Sequence, residues 1–252
     1  MKITLMKIHN DFLLSLQFLT IINIKNDAPI DEKSFGRSVI FLPLIGLLIG
    51  VLLVITSKIS FAILPVLISD AIVLIVLIII TGGLHVDGFA DTIDGFAGGK
   101  NKDDILRIMK DSRIGTFGVV GIVMLLLTKY LSIYSLQEDI KYFILIAMPV
   151  IGRWSVLPMG LFFKYARIEG GTGKIFAESI RLKELIIGTI MALAIIIPLF
   201  RLKGFLMLAV IFIVTLLIGR YSKRKINGIT GDVFGATIEI NELIMLILSQ
   251  LV

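Results

Sequence analysis

Long apolar segments alternate with short polar ones along the whole chain, and this pattern predicts the fold class. A helix that crosses a bilayer needs about 20 mostly apolar residues. Seven segments meet or approach that length: 39–56, 61–81, 114–136, 142–163, 185–200, 204–219 and 233–252. The fifth and sixth are short, so we expect their helices either to be tilted less or to extend into the flanking residues. The pattern predicts an all-α polytopic membrane protein that forms one integral-membrane domain over residues 1–252.

The N-terminal segment, residues 1–38, is predicted to be cytoplasmic or interfacial. Residues 12–24 are apolar overall but include Ser15, Gln17 and Asn23. We therefore predict an amphipathic helix that lies on the membrane surface or packs against the bundle, rather than an eighth span. The mixed charge of the first residues and the lack of a small-residue cleavage site indicate that there is no cleavable signal peptide.

Composition supports a membrane protein and excludes several kinds of chemistry. Hydrophobic residues make up 57% of the chain and charged residues 17%, with a mean hydropathy of +0.99. Soluble domains contain about 45–50% apolar and about 25% charged residues, so a soluble enzyme is excluded. The chain has no cysteine, which rules out disulfides, thiolate metal sites and a cysteine nucleophile. Its two histidines, His9 and His85, argue against a histidine-rich transition-metal site.

The distribution of Lys and Arg predicts the orientation of the spans. The N-terminal segment and the loops 82–113, 164–184 and 220–232 contain five, five, five and four of them. The connections 57–60, 137–141 and 201–203 contain one, one and two, and the C-terminus contains none. Because cationic loops stay on the cytoplasmic side, we predict a cytoplasmic N-terminus and three long cytoplasmic loops. The net charge of +6 therefore reflects membrane topology and not nucleic-acid binding.

The 82–113 loop is rich in aspartate and glycine. Asp87, Asp91 and Asp94 are spaced i, i+4 and i+7, which places three carboxylates on one face of a helix. Like charges at this spacing repel one another, and a divalent cation would relieve that repulsion. Hard oxygen ligands without cysteine or clustered histidine favour Mg²⁺. The alternative is an ordinary solvated acidic surface.

Glycines and cations surround these carboxylates. The glycines either cradle a phosphate or simply end helices; they are Gly82, Gly83, Gly88, Gly95, Gly98 and Gly99. Asn101 is a plausible N-cap for a short helix over 103–110, which leads into the sequence Lys110, Asp111, Ser112, Arg113 before the third span. Cations beside a carboxylate cluster suit a pyrophosphate substrate with bound Mg²⁺. The alternative for Lys110 and Arg113 is cytoplasmic anchoring of the span.

The last cytoplasmic loop and the span that follows it contain three more carboxylates. Asp232 precedes the span, and Glu239 and Glu242 lie one to two turns inside it. Acidic residues within a membrane are costly unless they are paired, protonated or facing water, so these three are predicted to complete a polar chamber. Elsewhere, Asp70 is expected to pair with Arg153, and Lys129 is expected to snorkel to the membrane surface. His85 is either a general base for a hydroxyl nucleophile or a hydrogen-bonding residue.

Specific motifs resemble a known family. The sequences GGLHVDGFADTIDGF at 82–96 and LRIMKDSRIGTFG at 106–118 closely resemble the signature of the cobalamin synthase family, the adenosylcobinamide-GDP ribazoletransferases. Shorter matches occur in the family's order along most of the chain: LQFLT at 16–20, FLPLIGLLIG at 41–50, GRW at 152–154, YAR at 165–167 and TGDVFGA at 230–236.

The resemblance implies a Mg²⁺-dependent membrane transferase that joins adenosylcobinamide-GDP to α-ribazole or its 5′-phosphate and releases GMP. On this basis Asp87 and Asp91 bind Mg²⁺, and Asp94 is a third ligand or the base. Lys110 and Arg113 stabilise the leaving GMP, and His85 or Asp94 accepts the ribazole proton. The expected substrate-binding residues are Gly82, Gly83, Asp111, Ser112, Arg167, Asp232, Glu239 and Glu242. The expected location is the cell membrane, with the catalytic loops on the cytoplasmic side. Other cobalamin-pathway enzymes are candidate partners.

Three alternatives are less compatible with the residues. A CDP-alcohol phosphotransferase needs D-x-x-D-G-x-x-A-R, whereas Asp91-x-x-Asp94-Gly95 is followed here by Phe-Ala-Gly-Gly. A prenyltransferase needs two separate aspartate motifs, and only the segment from Asp87 to Asp91 matches one. A transporter would line its pathway with Asp70, Arg153, Glu239 and Glu242, but the chain shows no repeated halves.

Overall fold

The computed structural model describes residues 2–24, 32–167 and 172–251, and within them the fold is helical. The only extended pairing in these ranges is an isolated bridge between Tyr165 and Ile229. The all-α prediction is confirmed. The helices are α1 Lys2–Leu19, α2 Glu32–Ser38, α3 Leu42–Phe61, α4 Val66–Ile80, α5 Leu84–Gly98, α6 Lys102–Ile108, α7 Thr116–Tyr134, α8 Glu138–Trp154, α9 Val156–Phe162, α10 Thr172–Ser179, α11 Leu182–Phe200, α12 Leu202–Ile226 and α13 Gly231–Leu248.

Every predicted span contains a helix, but the helices differ in how well they suit a membrane. Five stretches in the described ranges are long and apolar enough to cross: Ser34–Phe61, Thr116–Tyr134, Glu138–Phe162, Leu182–Phe200 and Leu202–Ile226. A sixth exists if α4 and α5 count as one bent span. The last helix, α13, is not among them, and it carries three carboxylates in 18 residues. Five to six apolar spans are therefore supported, and the seventh stays a prediction.

A bend between α4 and α5 sets the position of the aspartate-rich segment. The two helices meet at 86°. Gly82 and Gly83 make the turn with φ of 60° and 69°, in the left-handed region that favours glycine. After the bend, α5 packs against α13 and α7, and α6 packs back on α5. The segment 82–113 is thus two packed helices rather than an open loop.

The helix α8 lies at the centre of the bundle, between α3 and α13. A Cβ atom on Gly46 of α3 would lie 2.5 Å from the carbonyl oxygen of Pro149, and one on Gly50 would lie 2.6 Å from the Cα of Ile146. Helices in membranes associate through such small residues because their backbones can then approach closely. The close α3–α8 pair forms the core on which the other helices pack.

The N-terminal helix packs against the bundle, as predicted for residues 12–24. Its inner face buries Leu13, Leu14, Leu16 and Leu19. The helix ends at Leu19, five residues before the predicted end. There the Thr20 hydroxyl donates a hydrogen bond to the Leu16 carbonyl at 2.7 Å, and the Ile21 N–H bonds to Ile80 of α4. Residues 25–31 of the predicted N-terminal segment lie outside the described residues.

Two predictions about charges inside the spans are wrong. Asp70 pairs with Lys141 at 2.6 Å, not with Arg153, whose partner is Glu242. Lys129 does not snorkel, because it is fully buried. Both predictions failed because the sequence pattern shows how far along a helix a charge lies, but not which neighbouring helix it faces.

Candidate active site

Two glycines bring α5 and α13 close enough to place their carboxylates together. A Cβ atom on Gly88 would lie 3.0 Å from the Cα and carbonyl oxygen of Asp232. One on Gly235 would lie 3.1 Å from the His85 carbonyl oxygen. Both glycines allow backbone-to-backbone helix packing, whereas the sequence had suggested a phosphate contact or a helix end for Gly88.

A carboxylate cluster forms at this contact. Asp87 is exposed and Asp91 is half-buried. The charge of Asp91 interacts with those of Asp87, Asp232 and Asp94, and with the cation Arg167. Asp232 comes from α13, so carboxylates that are far apart in sequence share one electrostatic environment. Several negative charges with one nearby cation form a site that favours a further cation.

The donor set fits Mg²⁺ only if substrate oxygens complete its coordination. In the described ranges, no group of three or more acidic or histidine side chains is placed to hold an ion by itself. Mg²⁺ typically takes one or two carboxylates, with phosphate oxygens and water as the remaining ligands. Asp87 and Asp91, with Asp232 opposite, provide such a partial set of hard oxygen donors.

Asp94 has a structural contact that the sequence did not predict. Its carboxylate is buried and accepts hydrogen bonds from the N–H groups of Gly115 at 2.7 Å and Gly118 at 2.8 Å. These N–H groups lie at the start of α7, where a negative charge is favourable. A Cβ on Gly118 would collide with the carboxylate. Asp94 thus joins α5 to α7, and its role as ligand or base stays a prediction.

Asp232 is held by the first turn of α13 and by Arg167. Thr230 caps that helix by accepting a hydrogen bond from the Val233 N–H, and its hydroxyl donates to Asp232. Arg167 Nη2 lies 2.8 Å from the Asp232 carboxylate. The Tyr165–Ile229 bridge fixes the chain just before Arg167 against the start of α13. Two residues predicted to bind substrate are therefore an ion pair.

A cationic cavity of about 410 Å³ lies next to this ion pair. The helix α6 begins after Asn101, whose side chain accepts a hydrogen bond from the Asp104 N–H, so the predicted N-cap is confirmed. Four cations and one carboxylate line the cavity, so its net positive charge favours an anionic group. It is lined by Lys102, Asp103, Leu106, Arg107, Lys110, Ala166 and Arg167.

Arg113 and its neighbours line neither the cationic cavity nor a second cavity that contains His85. Arg113 forms an exposed ion pair with Asp111 at 2.8 Å, and its hydrogen bonds lower the pKa of Asp111 to about 2. Ser112 is exposed. The lining residues described for the site include neither Arg113, Asp111 nor Ser112. The bend glycines Gly82 and Gly83 are also outside these linings, and the predicted roles of all five stay predictions.

His85 lies in a second cavity, of about 180 Å³, with Asp87 and Asp232. The imidazole is 3% exposed. Its Nδ1 lies 3.4 Å from Nη2 of Arg153, and its Nε2 has no hydrogen-bond partner among the described residues. The remaining wall is apolar and includes Phe18 of α1 and Phe176 of α10, which nothing in the sequence pattern had indicated.

Glu239 and Glu242, predicted to line a polar chamber, are buried in an ion network. Lys129 Nζ lies 2.5 Å from Glu239 and 2.6 Å from Glu242, and Arg153 also pairs with Glu242. Two cations and two carboxylates balance, which lowers the cost of burying them. Arg153 links this network to His85. Neither glutamate lines the two cavities described above, and their substrate-binding role stays a prediction.

Comparisons with known proteins identify the family of this chain. The family model for cobalamin-5-phosphate synthase matches residues 11–250. The chain is similar to curated proteins named adenosylcobinamide-GDP ribazoletransferase. It is 37% identical to that of Clostridium tetani, with 94% of this chain and 95% of the relative covered, and 38% identical to that of Clostridium botulinum, with 95% and 96% covered. No solved structure matches. By the extent of the family match and of these similarities, the chain belongs to the cobalamin-5-phosphate synthase family.

Proposed function

We propose that this protein joins adenosylcobinamide-GDP to α-ribazole, or to α-ribazole 5′-phosphate, and releases GMP. The observation that carries the proposal is the meeting of Asp87 and Asp91 with Asp232 beside a cationic cavity, in a chain of this family. The first substrate contains a diphosphate, which needs both charge neutralisation and positioning. Its relatives bear the name of this reaction.

Release of GMP determines which bonds change. A ribose hydroxyl of the ribazole attacks the phosphorus attached to the cobinamide, and a new P–O bond forms. The bond from that phosphorus to the bridging oxygen breaks, so that this oxygen leaves with GMP. The hydroxyl proton passes to a carboxylate of the Asp87, Asp91 and Asp232 cluster, which supplies the acceptors at this position.

We assign the metal to the same cluster. Asp87 and Asp91 would hold Mg²⁺, as expected from the sequence. Asp94 already accepts two backbone hydrogen bonds, so we assign the remaining coordination positions to diphosphate oxygens and water, and Asp232 is the carboxylate left to accept the hydroxyl proton. When bound, Mg²⁺ supplies positive charge that neutralises the diphosphate. Arg167, paired with Asp232, remains close enough to share that task.

The cationic cavity is assigned to the GMP half of the diphosphate. Lys110 and Arg167 line it together with Arg107 and Lys102. Cations fixed at this position stabilise charge as it develops on the leaving phosphate. Because Arg167 pairs with Asp232 and also lines this cavity, we assign the bond that breaks to the space between the cluster and the cavity.

We also propose the finer topology expected from the sequence: seven spans in the cell membrane, a cytoplasmic N-terminus, and the site on the cytoplasmic side. The lysine and arginine asymmetry supports this orientation. Lys102, Arg107, Lys110 and Arg167 all belong to the cation-rich connections, so the site and the predicted cytoplasmic side coincide.

The test is a turnover assay on purified protein in nanodiscs, with adenosylcobinamide-GDP, α-ribazole and Mg²⁺ and with GMP release as readout. We expect Asp91→Asn to abolish turnover in protein that remains folded and inserted, and EDTA to do the same reversibly. Asp139→Asn is the matched control, since Asp139 is exposed at the start of α8. Near-normal turnover by Asp91→Asn would exclude Asp91 as an essential ligand.

A further inference from the structure

The cavity beside His85 has an aromatic wall. The rings of Phe18 and Phe176 stack with centroids 4.9 Å apart and planes 28° apart. Phe234 packs edge-on against Phe176 at 6.1 Å. Leu84 and Ile238 add aliphatic surface. An apolar wall of flat rings suits a flat apolar ring, because aromatic pairs gain contact area in stacked and edge-on arrangements.

One residue that lines this apolar space carries a buried donor without a partner among the described residues. Arginine carries only N–H donors, so its contact with His85 requires the Nδ1 lone pair as acceptor. The proton of the neutral imidazole is then on Nε2. That N–H is buried without a partner among the described residues, which is costly unless a ligand accepts it. The only other polar side chains among the described lining residues are Asp87 and Asp232.

We propose that this cavity binds the heteroaromatic base of the ribazole and that Nε2–H of His85 donates a hydrogen bond to the unsubstituted ring nitrogen. The inference rests on the proposed transfer reaction and deepens it. A benzimidazole joined to ribose through one nitrogen is flat and apolar, has one acceptor nitrogen and has no donor. Its single acceptor matches the single unpaired donor of His85.

The same chemistry argues against the other aromatic group in the reaction. Guanine carries several donors and acceptors on its ring edges. In a cavity with an aromatic wall and one donor, most of them would lose their hydrogen bonds to water without replacement. The guanosine half is better accommodated in the cationic cavity that Arg167 lines.

Size and position agree with the assignment. An apolar cavity of about 150 Å³ is enough for benzene, and this one measures about 180 Å³. The cavity is therefore large enough for the six-membered ring of the base, while the nitrogen-containing ring and the sugar lie at the polar part of the wall. Because Asp87 and Asp232 line the same cavity, a ribose attached to the bound base lies next to the carboxylate cluster where its hydroxyl reacts.

The assignment changes the role of His85. The sequence suggested a proton acceptor or a hydrogen-bonding residue. Since Arg153 contacts Nδ1 and Nε2 already holds the proton, His85 acts as a hydrogen-bond donor that holds the base. Removing it should weaken ribazole binding and leave the chemical step intact.

The test measures α-ribazole binding directly, by calorimetry on the protein in nanodiscs, together with steady-state kinetics. We expect His85→Leu to raise the Kd for α-ribazole about tenfold, the effect of one lost hydrogen bond. His85→Gln keeps a donor and should stay within about threefold. Phe176→Leu should weaken binding about fivefold. The control Phe162→Leu should leave the Kd for α-ribazole unchanged, because Phe162 is exposed and lies outside the cavity lining.

A ligand analogue makes the test specific for the proposed contact. The indole analogue of α-ribazole, with the same ring substituents, has the same shape but a C–H in place of the acceptor nitrogen. We expect it to bind the wild type about tenfold more weakly than α-ribazole, and to bind His85→Leu as well as α-ribazole does. Such a cycle isolates the pairwise contact from general damage to the cavity.

The kinetics separate this inference from the proposed function. If the inference holds, the KM for ribazole rises in His85→Leu while kcat and the KM for adenosylcobinamide-GDP stay the same. A fall in kcat with unchanged ribazole affinity would instead make His85 the proton acceptor. A raised KM for adenosylcobinamide-GDP would place that substrate in the cavity. If the wild type releases no GMP at all, the proposed function itself fails.

Discussion

Asp91 and Asp94 lie one turn apart on the same helix and have different surroundings. Asp91 is half-buried among other carboxylates, whereas both oxygens of Asp94 accept N–H groups at the start of α7. A residue engaged in this way stabilises the fold, because its loss leaves buried donors unsatisfied. The two aspartates should therefore differ in what their substitution damages.

We predict that Asp94→Ala destabilises the protein by about 2 kcal/mol, the combined effect of losing a helix cap and leaving buried N–H groups unpaired. Thermal unfolding in detergent measures the change, with Asp91→Ala as the matched variant. Asp91→Ala should unfold at the wild-type temperature or above, because it removes repulsion. Equal unfolding temperatures for the two variants would contradict the distinction.

At the residue scale, the sequence predicted which carboxylates come together, but it did not predict the contacts of each side chain. Asp87, Asp91 and Asp232 were all predicted for the site, and the structure brings their charges together. The capping role of Asp94 was not predicted, because it depends on how α7 packs on α5. Heptad-like spacing places side chains on one face, but it does not say what that face meets.

At the scale of elements, the site depends on how closely α5 approaches α13. A Cβ on Gly88 would press on the backbone of Asp232 at 3.0 Å. We predict that Gly88→Ala lowers kcat about tenfold, since small displacements of catalytic groups are costly. The protein should still insert, because alanine itself favours a helix.

Gly98→Ala is the control for this prediction. Gly98 is the last residue of α5, and a Cβ there would meet only Ile108 at an ordinary 3.5 Å. The assay is GMP release per folded protein, with folding checked by size-exclusion chromatography. If both alanine variants retain full activity, the α5–α13 separation does not limit the site.

The element boundaries show what the hydrophobic pattern can predict. All seven apolar segments correspond to helices, because the bilayer demands long apolar stretches whatever their neighbours. The bend at Gly82 and Gly83 was missed as a bend, although the glycine pair was noticed. Glycine pairs permit several backbone conformations, and the packing of α5 against α13 and α7 selects this one.

At the scale of the whole molecule, a buried ion network joins four helices. Lys129 of α7 and Arg153 of α8 neutralise Glu239 and Glu242 of α13, and Arg153 reaches His85 of α5. Breaking one such pair leaves an uncompensated buried charge, which typically costs about 3–5 kcal/mol. Replacing both partners by neutral groups of similar size costs far less.

We therefore predict that Lys129→Met lowers the free energy of unfolding by about 3 kcal/mol. The double variant Lys129→Met with Glu239→Gln restores charge balance and should recover most of that loss. Thermal unfolding in one detergent compares the two. A double variant that is less stable than Lys129→Met alone would show that shape, rather than charge balance, governs this region.

The same network bears on whether α13 crosses the membrane. Its carboxylates keep it out of the clearly apolar spans, yet Glu239 and Glu242 are neutralised by Lys129 and Arg153. Its 18 residues extend about 27 Å, close to the thickness of a bilayer core. The pairing of its charges and its length are the arguments for the prediction that α13 is the seventh span.

The absence of cysteine makes this testable with single introduced thiols. We predict that Lys100→Cys is protected from an impermeant maleimide in intact cells, whereas Gln137→Cys is labelled, because these exposed positions precede and follow the predicted span α7. Gln250→Cys, just beyond α13, should be labelled if that helix crosses. Labelling of all three after permeabilisation is the control. Protection of Gln250→Cys together with labelling of Gln137→Cys would leave α13 on the cytoplasmic side and reduce the count to six spans.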